Sequence, residues 1–516
     1  LSMCLLYGPD ELELYLIDAK HGVEFNAYRE LPHARMVAIN REREFAVAVL
    51  QSLDREIERR AATMKQETPG RTNLQEYRAA SGAKLPRIVV VIDEFHELFE
   101  SDDQLGQAAF DAFSNIVRQG PFAGVHLVLA SQTLTSMPTM DRSTLMLLPT
   151  RVAFACNDSD AQLVMGDDNP EPRFLEKAGD GLLNANRGNP TNNQRFRGVY
   201  VDADERTALV DAMVRKAVTD GFDRRPRVFD GDAMVRRESV ASSAFLQPDG
   251  RPYRVRCLIG QALALESDMA IVFRRDQEAN LLIVAPGDDD GLPEITGMGV
   301  LHSVLLAARA QAGRVVVLDF TNDEGHPGTL DLDGLCERLS VAYHRRQRSA
   351  SIIRELAALV DERVALEDHR SPAVLLVICG IGRAGDLDPD AYAMGDEEEP
   401  LATALLRVLR EGPEVGVHTT VLTDSASALQ RRLGTHAMDR FGFRIAGRLR
   451  GDSERQAVLD DFRGLEVRGS QLVQFDQRTE RRTKFQPYGP VDEAWLALAM
   501  IEADLQPTTN REDTDR

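Results

Sequence analysis

The sequence predicts an α/β fold built on largely parallel sheets, present twice along the chain. Three observations predict it: short aliphatic runs alternate with longer helical stretches, acidic and amide residues collect where those runs end, and the same order of blocks returns nearly 300 residues later. Parallel strands need crossover helices between them. In such sheets chemistry gathers beyond the carboxyl ends of the strands.

LSMCLLY (1–7) reads as the last turns of an apolar helix, ended by the Gly8-Pro9 breaker pair. ELELYLID (11–18) reads as a strand, and Glu44 to Lys65 as a long helix with apolar residues at helical spacing. A loop bearing Gly, Thr and Asn (69–74) leads to a strand at 88–92. Ala108 to Arg118 is helical, and GVHLVLAS (124–131) and TRVAFACN (150–157) are further strands. Asp18, Asp93 and Gln132 fall at or just beyond strand ends. Residues 222–250 sustain no periodic apolar pattern and read as a linker, and the polar tail 506–516 as disordered.

The bulk numbers narrow the function classes. A chain of 516 residues is too long for one core. Its 43% hydrophobic and 28% charged residues are those of a soluble globular protein, and no apolar run is long enough to span a membrane. Five scattered cysteines (Cys4, Cys156, Cys257, Cys336, Cys379), none in a C-x-x-C pair, fit a reduced cytoplasmic setting and indicate neither a disulfide framework nor a zinc site. A net charge of −21 argues against an indiscriminate nucleic-acid coat, although a locally basic channel stays compatible with it. The chain opens on Leu1 with no signal-peptide pattern, so it reads as a fragment beginning inside a domain.

The repeat is specific. LPRIVVVIDEF (85–95) has its counterpart in SPAVLLVICGI (371–381), and AGVHLVLASQTL (123–134) in VGVHTTVLTDSA (415–426). TRVAFACNDSDAQLVM (150–165) matches FRIAGRLRGDSERQAVL (443–459), and LYLIDAK matches VVVLDFT. The prolines are 286 residues apart, the Gly-Val-His triplets 292 and the Asp-Ser pairs 294. Near-constant offsets point to a tandem duplication. In the second copy Cys379 and Gly380 stand where the first has Asp93 and Glu94, and Asp424 or a near neighbour stands where the first has Gln132. The stretch 280–308 keeps a strand, glycines and a following helix, but lacks a Lys-Ser/Thr pair. Asp288 to Asp290 would repel a phosphate there, since a phosphate cradle works through N–H donors and positive charge.

The strand that runs into Asp93 and Glu94 suits a Mg-nucleotide site, one acid holding the metal and the next polarising water. No G-x-x-x-x-G-K-[ST] loop occurs in the chain. Other polar features read as structural. His33, His126 and His418 lack partners at metal-ligand spacing, and DREIERR (54–60) reads as a solvated helix face. RRQR (345–348) reads as a helix surface, and GDEEEP (395–400) as an exposed loop.

From Leu1 to about Gly221 the chain resembles the FtsK/SpoIIIE motor domain of the FtsK–HerA superfamily, RecA-like ring ATPases that pump double-stranded DNA. The ordered set LSMCLLY, IDAK, LPH, REIERR, RTNLQEY, LPRIVVVIDEF, GVHLVLASQ, LPTRVAF and LEKAGDGLL carries the resemblance. The tandem layout also resembles EccC, the multi-module FtsK-type ATPase of type VII secretion. The resemblance implies tandem RecA-like P-loop NTPase modules: 1–221 active, 222–250 a linker, 251–505 degenerate, 506–516 a tail. It places the phosphate loop about ten residues upstream of Leu1.

It further implies ATP and Mg²⁺ as cofactors. Asp93 would be the Walker B acid and metal ligand, Glu94 the base or water-orienter, and Gln132 the γ-phosphate sensor. Arg118 and Arg151 are both candidates for the arginine acting on a neighbouring subunit, and Lys20 would face the site or the pore. Thr133-Leu134 stands where the family often has Arg-Pro, and Gly120-Pro121-Phe122 where it has GRA, so substrate-facing and intersubunit loops depart from the pattern. The expected function is an ATP-driven, hexameric ring translocase of duplex DNA. The alternatives are an EccC-like motor for protein substrates, binding partners through its second module, and a non-hydrolysing scaffold of a DNA-processing complex.

Overall fold

The computed structural model describes all residues except 21–23, 40–42, 72, 135–146, 223, 225, 231–233, 247–253, 263–267, 288–290, 322–330, 388–398, 450, 462–466 and 503–516. The chain forms two compact units, Leu1–Gly231 and Asp232–Arg516. The expected Asp288–Asp290 repulsion, most of the acidic loop at 395–400 and the polar tail lie outside the described residues.

In the first unit β1 (Leu12–Asp18), β2 (Ala34–Ile39), β3 (Arg87–Asp93) and β4 (Val125–Leu129) form a sheet with β8 (Arg227–Asp230), in the order β4-β3-β1-β2-β8. Every pairing in it is parallel. All seven residues of β1 are buried, as expected of a parallel strand covered on both faces. One face packs on helix α1 (Ser2–Leu6) and the helix Ala203–Thr219 through Cys4, Leu14, Leu16, Val89, Val210 and Met213. Helices α2 (Arg43–Glu67) and α4 (Gln104–Ala123) bury Phe45, Leu50, Leu53, Phe113 and Ile116. Between them lies the short α3 (Leu74–Ser81), started by an Asn73 side-chain cap and ended at left-handed Gly82.

Three expectations are corrected. TRVAFACN does not extend the parallel sheet: β5 (Arg151–Phe154) joins β6 (Asp180–Asn184) and β7 (Asn193–Arg197) in a separate antiparallel sheet. The stretch expected as a linker carries structure, because β8 pairs with β2 and Val235, Arg237, Phe245 and Leu246 are buried in the second unit. The helix face at DREIERR is not wholly solvated. Arg60 is 1% exposed and donates from Nη1 to the carbonyls of Pro86 (2.7 Å) and Ala123 (3.1 Å), just ahead of β3 and β4.

The second unit holds β9 (Val255–Ala262), β10 (Asp268–Phe273), β11 (Leu281–Val284), β12 (Arg314–Asp319), β13 (Ala342–Arg345), β14 (Val374–Cys379), β15 (Val417–Thr423), β16 (Phe443–Ala446), β17 (Leu472–Asp476) and β18 (Arg481–Pro487) in one sheet. Its order is β10-β9-β18-β17-β16-β11-β15-β14-β12-β13. The block β16-β11-β15-β14-β12-β13 is parallel, and the other four strands extend it antiparallel.

The duplication is visible strand by strand. The order β4-β3-β1-β2 of the first unit reappears as β15-β14-β12-β13, and the ribbon β5-β6-β7 as β16-β17-β18. What differs is β11, which lies between β15 and β16 and fuses the two blocks. Among the described residues of the first unit no strand lies between β4 and β5, so the corresponding sheet is in two pieces. Val128 of β4 and Val152 and Phe154 of β5 are correspondingly exposed.

Candidate functional site

Asp18 and Asp93 are register partners at the carboxyl ends of β1 and β3. Asp18 is buried and accepts hydrogen bonds from the backbone N–H groups of Lys20 (3.0 Å) and Glu24 (3.4 Å). Asp93 is half-buried and accepts from the N–H of Glu94 at 3.1 Å. Burial, followed by the negative charges of Glu94, Asp18 and Glu24, raises its carboxyl above the ordinary range, partly offset by that N–H bond. An acidic cluster whose carboxylate is destabilised in this way is chemically matched to a cation.

Glu94 follows in the left-handed region at φ 50°, which a non-glycine residue adopts only at a cost. It is 4% exposed, and its Oε2 accepts from the backbone N–H of Gln132 at 3.2 Å. His96 Nδ1 lies 3.3 Å and Ser131 Oγ 3.5 Å from the same oxygen. The loops after β3 and β4 are also joined through the backbone, with Phe95 N–H donating to Ala130 O (3.1 Å) and Ala130 N–H to Ile92 O (2.9 Å).

The remaining candidates divide. Gln132 is exposed three residues past the end of β4, and its backbone, not its side chain, reaches Glu94. The loop it starts is fixed by Asp160, which accepts from Leu134 N–H at 2.9 Å. Lys20 comes to the acidic end, paired with Glu97 at 3.3 Å. Arg118 is exposed near the end of α4, the end that leads into β4, so it lies toward the edge of the sheet opposite Asp93. Arg151 is buried, donating from Nη1 to Val164 O (2.9 Å) and from Nε to Leu148 O (3.3 Å). Arg444 repeats that pattern in the second unit with Ala457 O and Phe441 O. Arg151 is therefore an internal brace shared by both units, which corrects its reading as an arginine offered to a neighbour.

Sequence reasoning missed His96 and Ser131 as members of this cluster, and placed Asp18 at a strand end without giving it a role. The available signal was position: Asp18 ends a strand, and His96 and Ser131 flank Glu94 and Gln132.

Mg²⁺ needs only one or two protein carboxylates when phosphate oxygens and waters complete its shell. Among the described residues no group of three or more His, Cys, Asp or Glu is arranged to hold a metal alone. The acidic end of the first unit thus fits the metal half of a nucleotide site, with Asp93 as the residue that would hold it. The second unit keeps the counterpart of Asp18, Asp319, but not those of Asp93 and Glu94. There Asp319 and Cys379 are register partners, Asp319 is occupied by Tyr343 Oη (2.7 Å) and Thr321 N–H (2.8 Å), and Gly380 takes the left-handed position. A Cβ on Gly380 would lie 2.8 Å from Thr321 Cγ2, so a side chain at this position would have to displace Thr321.

The fold is that of two tandem α/β modules on mainly parallel central sheets. Residues 1–136 match the FtsK/SpoIIIE family. EccC5 of Mycobacterium marinum, an ESX-5 secretion system protein, is 34% identical over 146 residues, covering 26% of this chain and 10% of EccC5. DNA translocase FtsK of Mycobacterium tuberculosis is 28% identical over 226 residues, 40% of this chain and 26% of that protein. The chain thus spans a minor part of these relatives. Two solved structures share the fold of both units. The cytoplasmic domain of the Thermomonospora curvata type VII secretion ATPase EccC has a TM-score of 0.55 at 18% identity, covering 96% of this chain and 59% of that one. ATPases 2 and 3 of EssC from Geobacillus thermodenitrificans give 0.57 at 17%, covering 95% and 88%. No helix among the described residues is long and apolar enough to cross a membrane.

Proposed function

We propose that this chain is part of an FtsK-type ATP-driven motor whose first unit hydrolyses nucleotide and whose second unit does not. The observation that carries the reading is the contrast at one strand end. Asp93 and Glu94 sit there in the first unit, with Glu94 buried and hydrogen-bonded. Cys379 and closely packed Gly380 sit there in the second. In this reading Asp93 holds Mg²⁺, Glu94 orients and deprotonates the attacking water, and Gln132 senses the γ-phosphate with its exposed side chain. Lys20 counters charge at the rim. The bound Mg-nucleotide supplies the phosphoryl group and the charge neutralisation.

In this reading the phosphate cradle is carried by a strand that takes, between β4 and β5, the place β11 takes in the second unit, where it would cover the exposed Val128, Val152 and Phe154. ATP then binds between subunits of a ring, and the exposed Arg118 is the remaining candidate for a contact across that boundary.

Two cargoes are compatible with such a motor. The tandem layout, shared in fold with EccC and EssC over nearly the whole chain, favours a protein substrate engaged by the second unit. The similarity to FtsK over the first unit favours duplex DNA, held by sequence-independent phosphate contacts that weaken with salt. ATP hydrolysis by the gene product, including whatever precedes Leu1, tests both. Stimulation by duplex DNA, lost as salt is raised, selects the DNA reading. Indifference to DNA with stimulation by a secreted substrate peptide selects the protein reading. No hydrolysis under any condition refutes the motor.

A further inference from the structure

Glu94 is a buried carboxylate with which no lysine or arginine pairs among the described residues. Burying such a charge requires donors. Besides the Gln132 N–H, a polar pair, His96 and Ser131, stands beside the carboxylate. A hydroxyl has a single proton to give. Ser131 Oγ lies 2.5 Å from Thr133 O, to which it donates, and 2.8 Å from His96 Nδ1. With its proton committed to the carbonyl, Oγ accepts from the imidazole, so the hydrogen sits on Nδ1. That N–H lies between Ser131 Oγ and Glu94 Oε2, which is 3.3 Å away. On the far side of the ring Nε2 faces Glu97 Oε1 at 3.6 Å, and Glu97 is paired with Lys20. The loops after β1, β3 and β4 therefore meet at one imidazole.

The second unit offers an internal control. Thr423 occupies the place of Ser131 and makes the same turn, its Oγ1 donating to Ser425 O at 3.3 Å. The hydroxyl and its turn are kept, whereas Gly380 replaces Glu94 and Gly382 replaces His96 at the same offset of 286 residues. The imidazole disappears with the carboxylate it touches.

We propose that His96, oriented by Ser131, is a positioning residue for Glu94: its Nδ1–H holds the carboxylate of the catalytic base. The inference rests on the reading of Glu94 as the base of the first unit, and two measurements keep the two claims apart. The first is steady-state ATP hydrolysis by the gene product, with His96→Ala, His96→Asn, His96→Gln and Ser131→Ala. An asparagine amide can stand in for the Nδ1 donor, and a glutamine amide reaches the Nε2 position instead. The expected pattern is a fall in kcat of about tenfold for His96→Ala and His96→Gln, with KM within about twofold, and recovery to within about threefold for His96→Asn. Ser131→Ala falls between. Equal activity of all variants overturns the positioning role and leaves Glu94 as base.

The second measurement needs no turnover: ¹⁵N spectra of the imidazole, assigned by loss in His96→Ala, report which nitrogen is protonated in the full chain. The Nδ1–H form, perturbed by Ser131→Ala and by Glu94→Gln, supports the arrangement even if hydrolysis fails. An Nε2–H form overturns it.

Discussion

Two strand ends of the same design, one in each unit, carry different groups. At the end of β3 an acid pair is held under electrostatic and backbone strain, with Asp93 raised by burial and by its acidic neighbours and Glu94 in the left-handed region. At the end of β14 the same position is relaxed: Cys379 is buried among apolar residues, Gly380 takes the left-handed turn without a Cβ, and Asp319 is satisfied by Tyr343 and Thr321. The framework around both ends is nevertheless the same. Arg60 and Arg363 each bind the carbonyls ahead of two adjacent strands. Asp160 and Glu454 each accept a backbone N–H from the loop that follows the next strand. Arg151 and Arg444 brace the following helix in the same way. The two units keep the contacts that fold the module and differ at the acid pair.

The largest expected effect falls on the shared framework. Arg60→Ala and Arg363→Ala each strand two strand-leading carbonyls and open space in a buried layer, so each lowers its own unit's unfolding free energy by about 3 kcal/mol. Chemical denaturation reads this, and a loss confined to one unit would show that the braces are not equivalent. Acid separates the units next. Burial holds His302 down at about 3 and His418 at about 4, both in the second unit. Both stay neutral when folded, whereas the unfolded chain protonates them below about pH 6.5. Their stabilisation is complete above that pH and falls as pH drops toward the folded values, by about 2 kcal/mol per group at pH 5. Denaturation at pH 7 and pH 5 should show that loss in the second unit, and no loss would mean that burial does not hold the two imidazoles neutral.

Gly380→Ala is expected to destabilise the second unit by about 1–2 kcal/mol, because its Cβ meets Thr321 in a left-handed turn. A neutral result would mean that the position lost its glutamate without closing around the loss. The smallest effect is a gain. Asp93→Asn relieves repulsion with Glu94, Asp18 and Glu24, and without metal it should raise the first unit's Tm by roughly 1–2 °C. The gain should vanish below the raised folded pKa, where Asp93 is protonated anyway. A lowered Tm would mean that its carboxylate braces the fold.

Much of this was legible in the sequence, and particular residues show where legibility ended. The apolar runs of β1, β3, β12 and β14 and the near-constant offsets announced the duplicated parallel sheet, because burial on both faces leaves a compositional trace. The acid pair was legible because two charges at the end of such a run break its pattern. Arg60 was misread as solvent-facing, although Leu53, Ile57, Arg60 and Met64 recur at helical spacing and place it on the buried stripe. Polarity outweighed periodicity in that reading. β8 was hidden because four residues carry little pattern and its partner β2 is nearly 190 residues away. The grip of His96 and Ser131 on Glu94 was hidden for the same reason, since it depends on two loops meeting across a sheet.

The division of labour between the units is tested most directly by one comparison of ATP turnover. The full-length gene product is assayed as wild type, as Glu94→Gln and as Cys379→Ser. The account predicts at least a roughly hundredfold loss of kcat for Glu94→Gln, the size expected when a general base is removed, and a change of less than about twofold for Cys379→Ser. Undiminished turnover in Glu94→Gln, or its collapse in Cys379→Ser, would contradict the account.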